Sequence, residues 1–146
     1  MILTIDASVF VAAARSQETH YATSRQFLRQ VRSQNATVFC PSLVLPECAA
    51  AIVRPTNDTA LGEELVALIA SFPGLRLVSL DPPLAQQAVQ VATHHRLRGA
   101  DSVYVAVANA ANATLITWDD EMLERGASVV TTRTPQQWMV EREAVE

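Results

Sequence analysis

Lysine is absent from this sequence, and all 11 basic residues are arginine. That excludes a Walker-A phosphate loop and a Schiff-base enzyme, which both need the lysine ammonium. An excess of positive charge is missing too. The formal net charge is -4 and the pI about 5.3, so contact with nucleic acid must rest on local arginines, not on a global field. Cysteine is scarce. Cys40 and Cys48 fit no zinc spacing and read as small buried thiols of a reducing compartment. No run reaches the ~18 apolar residues of a membrane helix. The short apolar start ends at Asp6 with no basic residue before it, so it does not read as a signal peptide. No internal repeat, linker or low-complexity segment stands out. The expectation is one cytoplasmic domain over residues 1–146, with no membrane association. Its 49% hydrophobic content supports a sizeable core.

The most informative stretch is 97–109, Leu-Arg-Gly-Ala-Asp-Ser-Val-Tyr-Val-Ala-Val-Ala-Asn. From Val103 to Ala108 it carries no charge, and its one polar side-chain atom is the Tyr104 hydroxyl. The alternation of Val103, Val105 and Val107 would suit a strand, but length and alanine content favour a helix. A helix apolar nearly all round belongs inside a protein. Asp101, at its mouth, is then anchored by the core while free to face a cleft.

Strands are expected at Ile2–Ile5, Thr37–Cys40, Leu75–Leu80, Thr114–Thr117 and Ser128–Thr131. Helices are expected between them: Val9–Ala14, His20–Gln34, one with Pro46 in its first turn, and one ending near Ser71. Pro55–Asp58 reads as the break between the last two, and Leu61, Leu65, Leu68 and Ile69 as the inward face of the second. Asp81-Pro82 opens another helix with Asp81 as its cap. A short helix runs to Arg125, Thr134-Pro135 opens a last turn containing Trp138, and residues 139–146 read as a loose tail. Alternating strands and helices predict the α/β class, a parallel sheet covered on both faces.

In such sheets ligands sit beyond the carboxyl ends of the strands. Asp6 follows the first strand and Asp119 the fourth, while Glu47 and Asp101 lie in first helical turns. Each has a bland explanation alone: Asp6 as a helix N-cap, Glu47 as a charge on a helix dipole. Together they are harder to dismiss. Two carboxylates ~5 Å apart repel by roughly 3 kcal/mol at an effective dielectric near 20, so such a cluster would bind protons or metal. Oxygen-only ligation suits Mg²⁺ or Mn²⁺, which can activate water and stabilise a phosphoryl transition state. His94 and His95 point about 100° apart on a helix and do not chelate together. Asp119 shares a side with Thr117, whereas Asp120 is placed to cap the short helix. Arg96 and Arg98 are candidate phosphate contacts. The Arg25, Arg29 and Arg32 stripe reads first as a solvated face.

Four segments carry a family resemblance: Ile-Asp-Ala-Ser-Val at 5–9, Pro-Glu at 46–47, Gly-Ala-Asp-Ser-Val-Tyr-Val-Ala-Val-Ala at 99–108 and Leu-Ile-Thr-Trp-Asp-Asp at 115–120. Through them the chain resembles the PIN-domain ribonucleases, and among these the VapC-type toxins of bacterial toxin–antitoxin pairs. The resemblance spans nearly the whole chain. It implies Asp6, Glu47, Asp101 and Asp119 as a catalytic, metal-holding quartet, with Ser8 and Thr117 as supporting polar groups. It also implies a 3-2-1-4-5 strand order, a homodimer, and an antitoxin that blocks the cleft. Trp118 is bulkier than the family pattern leads one to expect. The expected function is a Mg²⁺-dependent endoribonuclease of the toxin type, with Mn²⁺ able to substitute. The rivals are a housekeeping RNA-processing PIN nuclease and a non-catalytic scaffold that binds RNA or protein.

Overall fold

In the computed structural model, which describes residues 1–145, five short strands lie side by side, all parallel, in the order β3-β2-β1-β4-β5. They are β1 (Ile2–Ile5), β2 (Thr37–Pro41), β3 (Leu75–Val78), β4 (Thr114–Ile116) and β5 (Thr132–Arg133). β1 is central and buried from Leu3 onward, as a strand covered on both faces must be. The chain adds β2 and β3 to one side of β1, then returns to add β4 and β5 to the other. The crevice between the ends of β1 and β4 is therefore the place where the strand order reverses, the usual ligand position in such sheets.

Eight helices connect and cover the strands among the described residues: α1 (Ala7–Ala14), α2 (Tyr21–Ser33), α3 (Val44–Thr56), α4 (Thr59–Ala70), α5 (Pro82–His95), α6 (Gly99–Ala111), α7 (Asp120–Gly126) and α8 (Pro135–Val145). The ambiguous 99–111 stretch is a helix. It packs on α5 and lies over β1, β2 and β4, and every residue from Asp101 to Ala108 is buried. Asn35, Asn57 and Asn112 follow helix ends with φ of 53°, the left-handed turn that asparagine tolerates better than most residues. Asp81 caps α5, accepting from the Leu84 N–H at 2.9 Å. Thr134 and Gln137 cap each other across the first turn of α8.

Four expectations need correcting. The 139–146 tail is not loose as far as it is described: α8 continues to Val145, and Met139 is buried beside Trp138. Residue 146 lies outside the described residues. The fifth strand is not Ser128–Thr131 but Thr132–Arg133. Val129 and Val130 both donate to the Gly126 carbonyl and close α7, so their β-branched pair makes a turn. The break between α3 and α4 falls within Pro55–Asp58 but is narrower than expected, at Asn57 and Asp58; a proline in the last turn disrupts too few bonds to stop the helix before it. Leu68 is 62% exposed. α4 packs through Gly62, Leu65 and Ile69, and Leu68 points about 100° away from Ile69.

Gly74 is the one glycine held in the left-handed region, with φ of 83°. Its carbonyl accepts the Val38 N–H that begins the β2–β3 pairing, and a Cβ there would fall 2.3 Å from the Ala36 carbonyl oxygen. Gly74→Ala is expected to cost upwards of ~1 kcal/mol from backbone strain alone. The melting temperature should fall by more than about 2 °C; an unchanged value would mean that the turn relaxes freely.

Candidate active site

Asp6 is the residue immediately beyond β1. Its backbone N–H extends the β1–β4 ladder by donating to the Ile116 carbonyl at 2.9 Å. Ile5 pairs with Ile116, so Asp6 and Thr117 leave the sheet side by side. The Thr117 hydroxyl donates to Asp6 Oδ2 at 2.8 Å and accepts from the Asp119 N–H at 3.0 Å. Ser8, in the first turn of α1, accepts the Trp118 N–H at 3.1 Å. Asp6 occupies the N-cap position of α1, yet its side chain makes no capping bond. The bland reading does not exhaust this residue: its carboxylate is held by Thr117 across the sheet reversal.

Asp119 has two functions. Oδ1 caps α7 by accepting the Met122 N–H at 2.9 Å, and Oδ2 accepts from Arg98 at 3.0 Å. The expected cap, Asp120, is instead the first residue of α7 and exposed. Its predecessor already has the extended backbone and the spacing to N3 that capping requires. Asp101, in the first turn of α6, accepts the Arg98 Nε–H at 2.9 Å. Glu47, in the first turn of α3, accepts a 2.6 Å hydrogen bond from the Tyr104 hydroxyl. Tyr104 lies one turn along α6 from Asp101 and is fully buried.

Sequence reasoning noted the Tyr104 hydroxyl as the one polar atom of an apolar run without giving it a role. A buried phenol needs a partner, and that rule was the available signal. Cys40 and Cys48 are free and buried as expected. Their thiols donate to the Ile5 and Ala7 carbonyls on either side of Asp6, at 3.3 and 3.9 Å. Of the two expected phosphate contacts, Arg98 stands in the site. Arg96 is exposed in the left-handed turn after α5, with its carbonyl accepting from Arg125.

The four carboxylates come from four separate elements and feel one another's charge. Burial raises the Asp6 carboxyl above the ordinary aspartate range, against the Ser8 and Thr117 hydrogen bonds, and Asp119 raises it further. Burial also raises Glu47, partly offset by Tyr104, with Asp6 and Asp101 adding to the rise. Asp101 rises for the same reason, offset by Arg98. Tyr104 is pushed far up by burial, so it stays a donor to Glu47. Burial lifts the Cys40 thiol to about 12, so it is inert as a nucleophile.

Among the described residues, no three His, Cys, Asp or Glu side chains stand close enough to enclose an ion as they are. The guanidinium of Arg98 bridges Asp101 and Asp119 instead. It supplies the positive charge between those two acids, and its side chain is 66% exposed. Ion pairs that open to water are worth only about 0.2–1 kcal/mol, so this bridge is open to exchange. The oxygen-only donor set and the rise of three carboxyls fit a hard cation. Asp6, Asp101 and Asp119 would hold it, with Glu47 at the rim.

Asp6, Glu47 and Asp101 bind protons more readily folded than unfolded. Their contribution to stability is fullest below the unfolded carboxylate range near about 4, and is lost as pH rises through their raised folded values. In EDTA the melting temperature should therefore rise as pH is lowered from 7 toward 5. Mn²⁺ at pH 7 should raise it and flatten the dependence. A steady fall in EDTA over that range would show that these carboxylates are not strained.

The chain matches the PIN domain family over residues 3–128. No curated protein matches it in sequence. Its fold is similar to that of VapC20 from Mycobacterium tuberculosis, a sarcin–ricin loop cleaving toxin, with TM-score 0.73 and 17% identity over 90% of this chain and 97% of that one. It is also similar to VapBC2 from Rickettsia felis, solved with a promoter DNA fragment, with TM-score 0.71 and 17% identity over 92% and 98%. A third similar structure is FitAcB from Neisseria gonorrhoeae, with TM-score 0.69 and 19% identity over 93% and 99%. At such identities the likeness is one of fold. The family match includes Asp6, Glu47, Asp101 and Asp119, the acids that the sheet reversal brings to one crevice, and with it the chain belongs to the PIN domain family.

Proposed function

We propose that the protein is a Mg²⁺- or Mn²⁺-dependent endoribonuclease and the toxin of a toxin–antitoxin pair. The observation that carries the reading is Asp6: a buried carboxylate beyond the central strand, held by Thr117 beside Asp119 and Arg98. A non-catalytic scaffold has no use for it. Similar structures include VapC and VapBC toxins, which supports the toxin reading over an RNA-processing nuclease. An antitoxin partner follows from the same relatives. The groove of about 530 Å³ between α1, α2 and α4 suits such a segment: Leu61, Leu65 and Leu68 line it, with Arg25, Arg29 and Arg32 at its edge. A homodimer belongs to the same proposal, and equilibrium sedimentation measures it.

A bound divalent ion would supply Lewis acidity and a water of lowered pKa. The chain's own residues do the rest. Thr117 and Ser8 fix the Asp6 carboxylate and the backbone that carries Asp119. Tyr104 holds Glu47 in one rotamer at the rim, where its half-buried carboxyl can accept a proton. Arg98 leaves its carboxylates and turns its five donors toward the phosphodiester. One cation thus neutralises the acids at rest and the substrate's phosphate in the complex.

RNA cleavage should require Mg²⁺ or Mn²⁺ and stop in EDTA. Asp101→Asn should abolish it while leaving the melting temperature in EDTA unchanged or slightly raised, because an unfavourably buried charge is gone. Equal turnover by variant and parent would overturn the role of Asp101, and a collapsed melt would make it structural.

Arg98→Met supplies an independent check. Without its internal competitor the site should bind Mn²⁺ more tightly in a calorimetric titration, while RNA cleavage falls. Weaker Mn²⁺ binding would show that Arg98 organises the carboxylates and does not compete for them.

A further inference from the structure

His20 and Trp118 stack face to face, with ring centroids 3.7 Å apart and planes 6° from parallel. Trp118 sits in the chain between Thr117 and Asp119, inside the acidic crevice's own loop. Its position is over-determined. The indole N–H donates to Ser24 Oγ at 2.8 Å, and the backbone N–H donates to Ser8 Oγ at 3.1 Å. Ser24 is fully buried in α2, so the indole is tied to the core on one side and covered by His20 on the other.

His20 immediately precedes α2 and is exposed. Among the described residues no hydrogen bond or ion pair holds its imidazole. Contact with the indole covers one face of the ring, and the residue is exposed. Tyr21 and Arg25 follow it on α2, the Arg25 guanidinium 5.3 Å from the Tyr21 ring centroid.

Every nucleobase has a π-face, and unpaired bases are bound by stacking on aromatic side chains, histidine included. This chain needs such a contribution more than most. With a net charge of -4 and no lysine, it has little electrostatic attraction to offer a polyanion. We propose that the outer face of His20, backed by the immobilised Trp118, is a stacking site for one unpaired nucleobase of the RNA, flanking the phosphate presented to the acidic crevice. The proposal rests on the ribonuclease reading. His20 and Trp118 are positioning residues in it: they place the strand and do not touch the reacting atoms. A rigid platform loses little entropy on binding, and because stacking engages any base it restrains position more than sequence.

The test is fluorescence anisotropy with a labelled eight-nucleotide single-stranded RNA in Ca²⁺, the RNA verified intact on a gel after each titration. Parent, His20→Ala and His20→Phe are compared at several salt concentrations, with thermal melts to verify folding. The alanine variant should bind roughly 5- to 150-fold more weakly, the span of one stacked base. The phenylalanine variant should recover most of that loss. The slope of affinity against salt should be the same in all three, because no phosphate contact is removed. Replacing single bases by abasic residues should weaken parent binding at one position, and that penalty should vanish in His20→Ala. Equal affinity of parent and alanine variant would overturn the proposal while leaving the nuclease reading intact. Loss in both variants with a shallower salt slope would overturn it in favour of a charged contact. No RNA binding by the parent would end both.

Discussion

The hydrogen bond from Thr117 to Asp6, at 2.8 Å, joins the ends of β1 and β4, and the rest of the site depends on it. It spans the point where the strand order reverses, so it exists only once both halves of the sheet have assembled. The same hydroxyl oxygen accepts the Asp119 N–H, and Ser8 accepts the next amide back along the chain. Two small hydroxyl residues thereby place two acids from strands that meet only through tertiary structure. The thiols of Cys40 and Cys48 satisfy the carbonyls flanking Asp6. Aliphatic side chains of similar size would fill the same volume but offer those carbonyls no donor.

Holding acids in this way works against folding. A carboxyl whose affinity for protons rises on burial disfavours the folded state at neutral pH, and three of the four behave so. Each has a polar partner that limits the cost: Thr117 for Asp6, Tyr104 for Glu47, Arg98 for Asp101. Only the last partner is charged, and it is shared with Asp119 at the solvent edge. The deepest carboxylate has uncharged donors alone. The resulting gradient leaves the cation partner at the mouth, where exchange with solvent is easiest, and the desolvated charge inside, where a small ion would be bound most strongly.

The order of strands and helices was legible in the sequence because apolar periodicity and proline position are local signals. All four acids were legible for a related reason: each terminates a strand or opens a helix, so its place at the sheet edge follows from chain order. What escaped depends on tertiary partners. β5 is two residues long and exists because Leu115 and Ile116 pair with it, and propensity pointed instead at the neighbouring Ser128–Thr131. The choice between Asp119 and Asp120 as helix cap turned on one residue of backbone geometry. Arg98 was placed near the site but not between two acids, since Asp119 is distant from it in the chain. The His20–Trp118 stack joins a helix start to a loop almost a hundred residues away, and no spacing rule connects them.

Nucleic-acid binding by an acidic chain is usually a matter of where its few cations stand. Here Arg98 is engaged with carboxylates, Arg32 lies over Phe72 and Arg25 over Tyr21. Two of the three make contacts that survive high salt better than bare ion pairs do, since a guanidinium over a ring is held partly by dispersion. The cation nearest the crevice is therefore engaged until its acids find another partner. On the proposed reading, a divalent cation in the crevice would change this balance twice, by cancelling negative charge and by freeing Arg98. Affinity for RNA and affinity for metal would then be coupled through one side chain, and thermodynamic reciprocity would require each ligand to strengthen the other to the same degree.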